Sequence, residues 1–536
     1  MSTSQYRETK YNNMSITLNF VIGVLIIACL SVRTDAQFPR ACATMGAYLS
    51  KECCPLMSGT GSPCGQTEGR GICSDIVVDE QPWGGPYVLL GIDDRERWPE
   101  RFFNRSCQCL GNFGGFDCST CKPGWRGVNC DVRRPLAIRR DIREMSQEEA
   151  NRFLDALDQA KTTPHPDYVI ARDHYRNLLG ENGTSEPNYV DISIYDLFVW
   201  VHYYSVRDTL LGPGQAFVGI DFSHEGPAFL TWHRMHLLNL EEDLRKMTGI
   251  EELAIPYWNF AIGGTECDIC TDELLGARHP NDPSRLSPNS RFADWQIVCL
   301  SLDWFDDNIK LCNGTYEGTI FRNPGGNTER PLVQKLPEPS DVAECLGVTK
   351  YDTFPFFSDS DQSFRNTLEG YAEVDGKFTE GARTLHNLAH LFLNGTGGQT
   401  HASANDPIFI LLHAFTDAIF EEWMRRENPT TSDFPERFAP IGHNLDYNMV
   451  PFFPPVRNRD MFIRASELGY TYEVQFPDSV PMAGFGLLLF GLVGMLAVVG
   501  ILFLIIVLIC RYRRRILEVR GYQEIVESGD DVAYTS

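Results

Sequence analysis

Six histidines stand out in this sequence by residue type and spacing. His202, His224 and His233 form one set, and His386, His390 and His413 form a second. Neutral imidazole ligates copper, zinc, iron and nickel, and three imidazoles per ion leave a position open for water, oxygen or substrate. The chain has 12 histidines in 536 residues, so these two sets take up half of its supply. In HNLAH, His386 and His390 are four residues apart, which on a helix puts both rings on one face, a turn from each other. Taken alone, HxxxH on an apolar helix also suits simple packing. A second triad in the same chain is what points to metal chemistry.

Six rings aimed at one place need several helices to carry them. His202 lies in the aromatic, helix-like run IYDLFVWVHYY, and His224 follows in a loop flanked by Gly and Pro. His233 comes where the helical pattern FLTWHRMHLLNLEEDL begins, and His413 sits in the apolar run NDPIFILLHAFTD with Asp417 one turn beyond. Helical patterns cover 191–208, 229–247, 383–393 and 408–426. A further helix opens at Ser146, which has Glu149 three residues on, the spacing of a capping box. Alternating strand runs are few. The expected fold is mainly α: a helical bundle holding a binuclear metal site, preceded by a small disulfide-rich module and followed by one transmembrane helix.

The stretches FSHEGPAFLTWHR, PYWNFA, HNLAH, NGT, NDPIF, LLHAFTDAIFEEW and APIGHN resemble the tyrosinase family over about 37–472. The resemblance implies that His202, His224 and His233 bind the first metal, and His386, His390 and His413 the second. It implies a tyrosinase-family oxidoreductase of melanin biosynthesis. Within the family, RNPGGNTERPLVQKLPEPSDVAECL and LHNLAHLFLNGTGGQTH resemble the dihydroxyindole carboxylic acid oxidases. KECCP, HPDYVIA, HYYSVRDTLLGPG, LCNGTYEG and FTDAIFEEWM are similar to dopachrome tautomerases. The expected substrate is accordingly a dihydroxyindole carboxylic acid or related catechol. The alternatives are a dopachrome tautomerase, a true tyrosinase, or a non-catalytic zinc protein that stabilises tyrosinase.

The same resemblance assigns further residues. Glu225 and Asn387 match the acid and amide that hold a water able to deprotonate a phenol, a positioned general base beside the metals. The tautomerase branch has Gln in place of Glu225. Tyr371, Arg383 and Thr400 match pocket positions of the dihydroxyindole branch, where Arg383 could pair with a substrate carboxylate. Phe409 resembles an aromatic residue that shields the second metal, while His236 matches a histidine that is not a ligand. Asp417 is a candidate to orient a ligating imidazole through its other nitrogen. Three histidines accept either copper or zinc. Family tyrosinases carry copper and the related proteins are associated with zinc, so two metal ions are expected, with zinc favoured in the protein as isolated.

The rest of the chain reads as a route to a membrane. Its net charge of −24 leaves no basic stripe for phosphates and excludes nucleic acid as a partner. Residues 1–36 read as a signal peptide, with an apolar core after Arg7 and Lys10 and small residues at Thr34 and Ala36. Ten cysteines between Cys42 and Cys130 imply a disulfide framework, and CQCLGNFGGFDCSTCKPGWRGVNC resembles an EGF-like tail, giving a module at 37–132. In the metal domain, 133–466, close spacing pairs Cys267 with Cys270 and Cys299 with Cys312, leaving Cys345 as a free thiol. Asn104, Asn182, Asn313 and Asn394 are N-glycosylation sequons. A linker (467–482) leads to an uncharged apolar stretch at 483–510, and the RYRRR that follows places the tail, 511–536, in the cytosol. Tyr522 with Ile525 at +3 resembles a signal read by sorting adaptors. Together these predict a single-pass type I protein of the melanosome or a related endosomal membrane, its metal domain lumenal.

Overall fold

Ser146 shows how local chemistry sets the first long helix. Its hydroxyl accepts from the Glu149 N–H while the Glu149 carboxylate accepts from the Ser146 N–H. Helix α1 (Gln147–Thr162) then buries Ala150, Phe153, Leu154, Ala156, Leu157 and Ala160 along one side, the i, i+3, i+4 spacing of an amphipathic helix. This is seen in a computed structural model, which describes residues 37–79, 93–171, 187–209, 218–282, 285–301, 312–327, 331–476 and 483–527. The expected leader, Asn182 and the last residues of the tail lie outside the described residues.

Five further helices carry the histidines or pack beside them. They are α2 (Ile194–Val206), α3 (Ala228–Thr248), α4 (Phe364–Glu369), α5 (Leu385–Leu393) and α6 (Ile408–Glu427). Helix α2 is capped by Ser193, whose hydroxyl accepts from the Asp196 N–H at 3.0 Å. It is buried on every side, as its aromatic and aliphatic composition requires. Helix α1 packs on α2 and joins it through a buried Lys161–Asp196 ion pair. Helix α3 packs against α2 and α6, and α6 against α5. Gly249 and Asn428 end α3 and α6 in the left-handed conformation that stops a helix. The helical runs read from the sequence agree with these bounds to within three residues.

Strands are short. Gln37–Pro39, Tyr168–Ala171 and Tyr189–Val190 form a three-stranded antiparallel sheet. Tyr470–Tyr472, within the segment expected to be a linker, pairs in parallel with Ala137–Arg139.

The cysteine-rich segment is built on disulfides because its strands are too short to enclose a core. The bridges are Cys42–Cys53, Cys54–Cys73, Cys64–Cys107, Cys109–Cys118 and Cys121–Cys130. Cys64, Cys107 and Cys118 form a small cluster of their own, whereas Phe38, Trp98, Phe102 and Phe103 join the main core. Cys267–Cys270 and Cys299–Cys312 are bridged, and Cys345 is a buried free thiol whose pKa burial raises well above the usual range.

The chain separates after Pro477 into a second unit. This unit contains one long helix, α7 (Ala483–Glu527). Its stretch Met495–Leu517, mean hydropathy 2.7, is long and apolar enough to cross a membrane. The helix does not stop at Arg511: RYRRRILEVR holds no proline, and the backbone stays helical through Tyr522 and Ile525.

Candidate metal centre

Each triad is assembled from two helices or from two helices and a loop. His202 lies on α2, His224 on the loop before α3, and His233 on α3. One candidate ligand atom from each lies within 4.8 Å of the others. His386 and His390 lie on successive turns of α5 and His413 on α6, and their ligand atoms meet the same limit. The triads face each other: the His233 and His413 rings are stacked with centroids 4.2 Å apart. Phe409 stands one turn before His413, its ring 4.0 Å from His413 and 4.9 Å from His202. It therefore touches both triads and not only the second.

Hydrogen bonds set which nitrogen of each ring is free. His233 Nδ1 donates to the Phe229 carbonyl at 2.8 Å, His390 Nδ1 to the Gly397 carbonyl at 2.8 Å, and His386 Nδ1 to the Glu369 carbonyl at 3.2 Å. His224 Nδ1 lies 3.0 Å from an Asp221 carboxylate oxygen, which can only accept. In these four rings Nδ1 carries the proton, so Nε2 presents a lone pair to the centre. His386 Nε2 and His390 Nε2 both approach His413 Nε2, at 3.3 and 3.2 Å. One proton on His413 cannot satisfy both lone pairs, whereas a cation satisfies all three nitrogens at once. Both His202 nitrogens and His233 Nε2 are buried without a hydrogen-bond partner among the described residues. The donor set fits a metal ion in each triad.

Electrostatics agree. Burial, with neighbouring imidazoles, drives His202, His233, His386 and His413 well below the usual histidine range, and burial takes His390 down to about 4. These rings are neutral at physiological pH, the form that ligates. Burial would also depress His224, but Asp221, with Glu369 and Glu225 nearby, outweighs it and raises the ring.

Glu225 follows His224 in a left-handed conformation, φ +58°. Its N–H donates to Glu369 Oε1 at 2.6 Å. Its own carboxylate accepts from the Ser358 hydroxyl at 3.2 Å and the Tyr371 hydroxyl at 3.3 Å. Burial and the Asp221 charge raise the Glu225 carboxyl above the ordinary glutamate value. Asn387 Oδ1 lies 3.1 Å from His386 Nδ1. The Arg383 guanidinium lies over the Tyr371 ring at 5.1 Å and is exposed, its Nη1 donating to the Ala382 carbonyl. Thr400 is exposed, its carbonyl accepting from the Ser403 hydroxyl. His236 stacks on Phe198 at 3.8 Å and belongs to neither triad.

Asp417 corrects the sequence reading: it orients no imidazole. Its carboxylate accepts from Arg234 Nε at 2.6 Å, Tyr470 at 2.7 Å and Tyr472 at 2.6 Å, with Arg139 at 3.5 Å. Two buried guanidinium cations outcompete a neutral ring one turn away, and His413 Nδ1 has no hydrogen-bond partner among the described residues.

Sequence reasoning missed Asp221, Glu369 and His443. Asp221 stands three residues before His224, a spacing that favours a local side-chain turn, so DFSH held the signal. His443, in APIGHN, accepts from the Ala228 N–H through Nδ1 and donates to the Asp221 carbonyl through Nε2. Glu369 had no local signal, because its partner Glu225 is 144 residues away.

Two histidine triads facing each other across a helical bundle define a binuclear metal protein. The common central domain of tyrosinase matches residues 192–426. The chain is 56% identical over 450 residues to 5,6-dihydroxyindole-2-carboxylic acid oxidase of Ambystoma mexicanum, covering 83% of this chain and 84% of that protein. The Homo sapiens protein of the same name is 54% identical over 477 residues, covering 87% and 88%. Tyrosinase of Canis lupus familiaris is 48% identical over 450 residues, covering 83% and 84%. The chain belongs to the tyrosinase family.

Proposed function

We propose that this chain is a melanin-pathway oxidase acting on a 5,6-dihydroxyindole carboxylic acid or a related catechol. The observation that carries the reading is the convergence of two histidine triads beside a carboxyl raised above its ordinary value, in a chain more than half identical to proteins named for that activity. His202, His224 and His233 would hold one ion, and His386, His390 and His413 the other. When bound, copper supplies a route for electrons from catechol to oxygen, whereas zinc polarises without redox change. Glu225 takes a proton from the substrate hydroxyl. Tyr371 and Ser358 fix its carboxylate. Arg383 pairs with the substrate carboxylate from the rim, and Phe409 walls the centre. Asn387 helps Glu225 to hold the water. In balance, two catechols lose two electrons and two protons each, and one oxygen becomes two waters.

The test is elemental analysis with oxygen uptake on tyrosine, a dihydroxyphenylalanine and a dihydroxyindole carboxylic acid. The pocket residues shared with the dihydroxyindole branch favour zinc as isolated and little tyrosine hydroxylation. Copper loading is then expected to bring uptake with the dihydroxyindole acid. Brisk uptake on tyrosine would shift the assignment to a tyrosinase, and oxygen-independent dopachrome conversion to a tautomerase. Absence of turnover with either metal would leave a zinc protein that stabilises tyrosinase.

The topology is part of the same proposal. Residues 1–36 are a cleaved leader, 37–132 an EGF-like module, 133–466 the metal domain, and α7 the single span that holds the domain in the lumen of a melanosome-type organelle. The uncharged apolar run 483–510, which Met495–Leu517 overlaps, supports the span, and Arg511–Arg515 the orientation. Asn104 and Asn313 are exposed and Asn394 is half-buried, so the first two sequons are the readiest glycan sites. Tyr522 is the residue for a sorting adaptor.

A further inference from the structure

The outer nitrogens of His224, His233, His386 and His390 are each held by an oxygen, whereas those of His202 and His413 have no partner among the described residues. A ligating imidazole is ordinarily fixed through its second nitrogen, since that bond sets both tautomer and ring orientation. His236 carries the complementary defect. It is 2% exposed, and its Nε2 is buried with no partner among the described residues. Burial drives its pKa well below the usual histidine range, so the neutral ring has one N–H and one lone pair. An orphaned nitrogen inside an aromatic cluster costs stability, and a phenylalanine would fill the same space without that cost.

The helices bring His236 and His202 together. His236 lies one turn beyond His233 on α3, and Phe198 lies one turn before His202 on α2. Phe198 and His236 stack face to face at 3.8 Å. The His236 ring in turn lies near-parallel to that of His202, with 25° between planes and centroids 6.1 Å apart. Trp232 packs on both, 5.8 Å from His202 and 4.8 Å from His236. Rings at that separation are too far apart for a direct nitrogen-to-nitrogen hydrogen bond. They are close enough for one water to span, and buried waters settle where polar groups would otherwise be orphaned.

We propose that His236 is the positioning residue for His202: one buried water joins His236 Nε2 to the outer nitrogen of His202 and fixes which of its nitrogens faces the first triad. The inference rests on the reading of His202 as a ligand and adds what aims it. His236 acts on the metal only through His202. Its own ring is held by the stack on Phe198, so a single contact keys α3 to α2 beside the first triad.

The experiment measures zinc binding at one triad at a time in the full-length protein. His390→Ala leaves the first triad as the intact one, and His202→Ala leaves the second. His236→Phe keeps the stack on Phe198 and deletes the nitrogen. In the His390→Ala background it is expected to weaken zinc binding about 10- to 100-fold, read by chelator titration with elemental analysis. In the His202→Ala background it should leave zinc affinity unchanged. The metal-free His236→Phe protein should melt at or above the Tm of metal-free wild type, because an apolar ring has replaced an orphaned polar one. His236→Gln still reaches the water through its amide and should restore most of the affinity, and it remains informative if the phenylalanine variant does not fold. A crystal structure of the zinc-loaded protein should show one ordered water between the two rings. Unchanged affinity at the first triad, an equal loss at both triads, a metal-free Tm that falls, or no water between the rings would overturn the proposal. If His202→Ala alone still binds two zinc ions, it is the ligand reading that falls.

Discussion

Four of the six rings in the two triads are oriented by an oxygen on their far side, and three of those oxygens are backbone carbonyls. A carbonyl cannot be lost by substitution at its own position, so the exception, the Asp221 carboxylate behind His224, is the vulnerable support. Asp221→Asn should weaken metal binding at the first triad about 10- to 100-fold and leave the second intact, as a chelator titration with elemental analysis would show. His390→Ala should lose one metal per chain and all oxidation; full occupancy or full activity would remove His390 from the ligand set. At this scale the sequence was generous where chemistry is local. The triads are visible because each histidine lies in a compact motif, and DFSH carries the support for His224. Glu369 was invisible because the fold, not a spacing, brings its carbonyl to His386 and its carboxylate to Glu225, whereas the Phe229 and Gly397 carbonyls lie four and seven residues from their rings. Asp417 misled for the opposite reason: the right i+4 spacing from His413 does not decide which way a carboxylate turns when two guanidinium groups compete for it.

The helices that bear His233 and His413 are cross-braced by that same residue. Arg234 on α3 and Asp417 on α6 form a fully buried pair, with Arg139 beside it and Glu241 pairing Arg139 at 3.0 Å. Burial opposes ionisation of Asp417, but Arg234 and Arg139 outweigh it and hold its carboxyl below the usual range. A depressed carboxyl stabilises the fold above its unfolded pKa, near 4, and that contribution is lost as pH falls through the folded value. Asp417→Asn should cost about 3–5 kcal/mol near neutrality by leaving buried cations unpaired. The difference in Tm between wild type and variant should shrink as pH is lowered from about 5 to about 3; a constant difference would mean that the pair is not what braces the helices. Helix existence was legible here because apolar periodicity is strong, and ends were legible where Ser146 marks a cap. The continuation of α7 past Arg511 was not, since charge marks a membrane boundary and does not break a helix.

In the whole molecule, disulfides staple the cysteine-rich segment, a buried core joins the helices, and the apolar helix forms a second unit. Removing everything after Pro477 should yield a glycosylated protein that stays in the supernatant after carbonate extraction, because Met495–Leu517 goes with the deleted segment. Retention in the membrane pellet would assign the anchor to the leader. The parallel pairing of Tyr470–Tyr472 with Ala137–Arg139 sets a lower limit on any such truncation. Translation runs from one end to the other, and Asp417 receives its two phenol partners only from residues 470 and 472. A nascent chain that has already made all six ligands still lacks the strand that finishes the brace behind His413. A ribosome that stops short of residue 470 therefore releases a chain with all six histidines present and the Asp417 carboxylate without its two phenol donors.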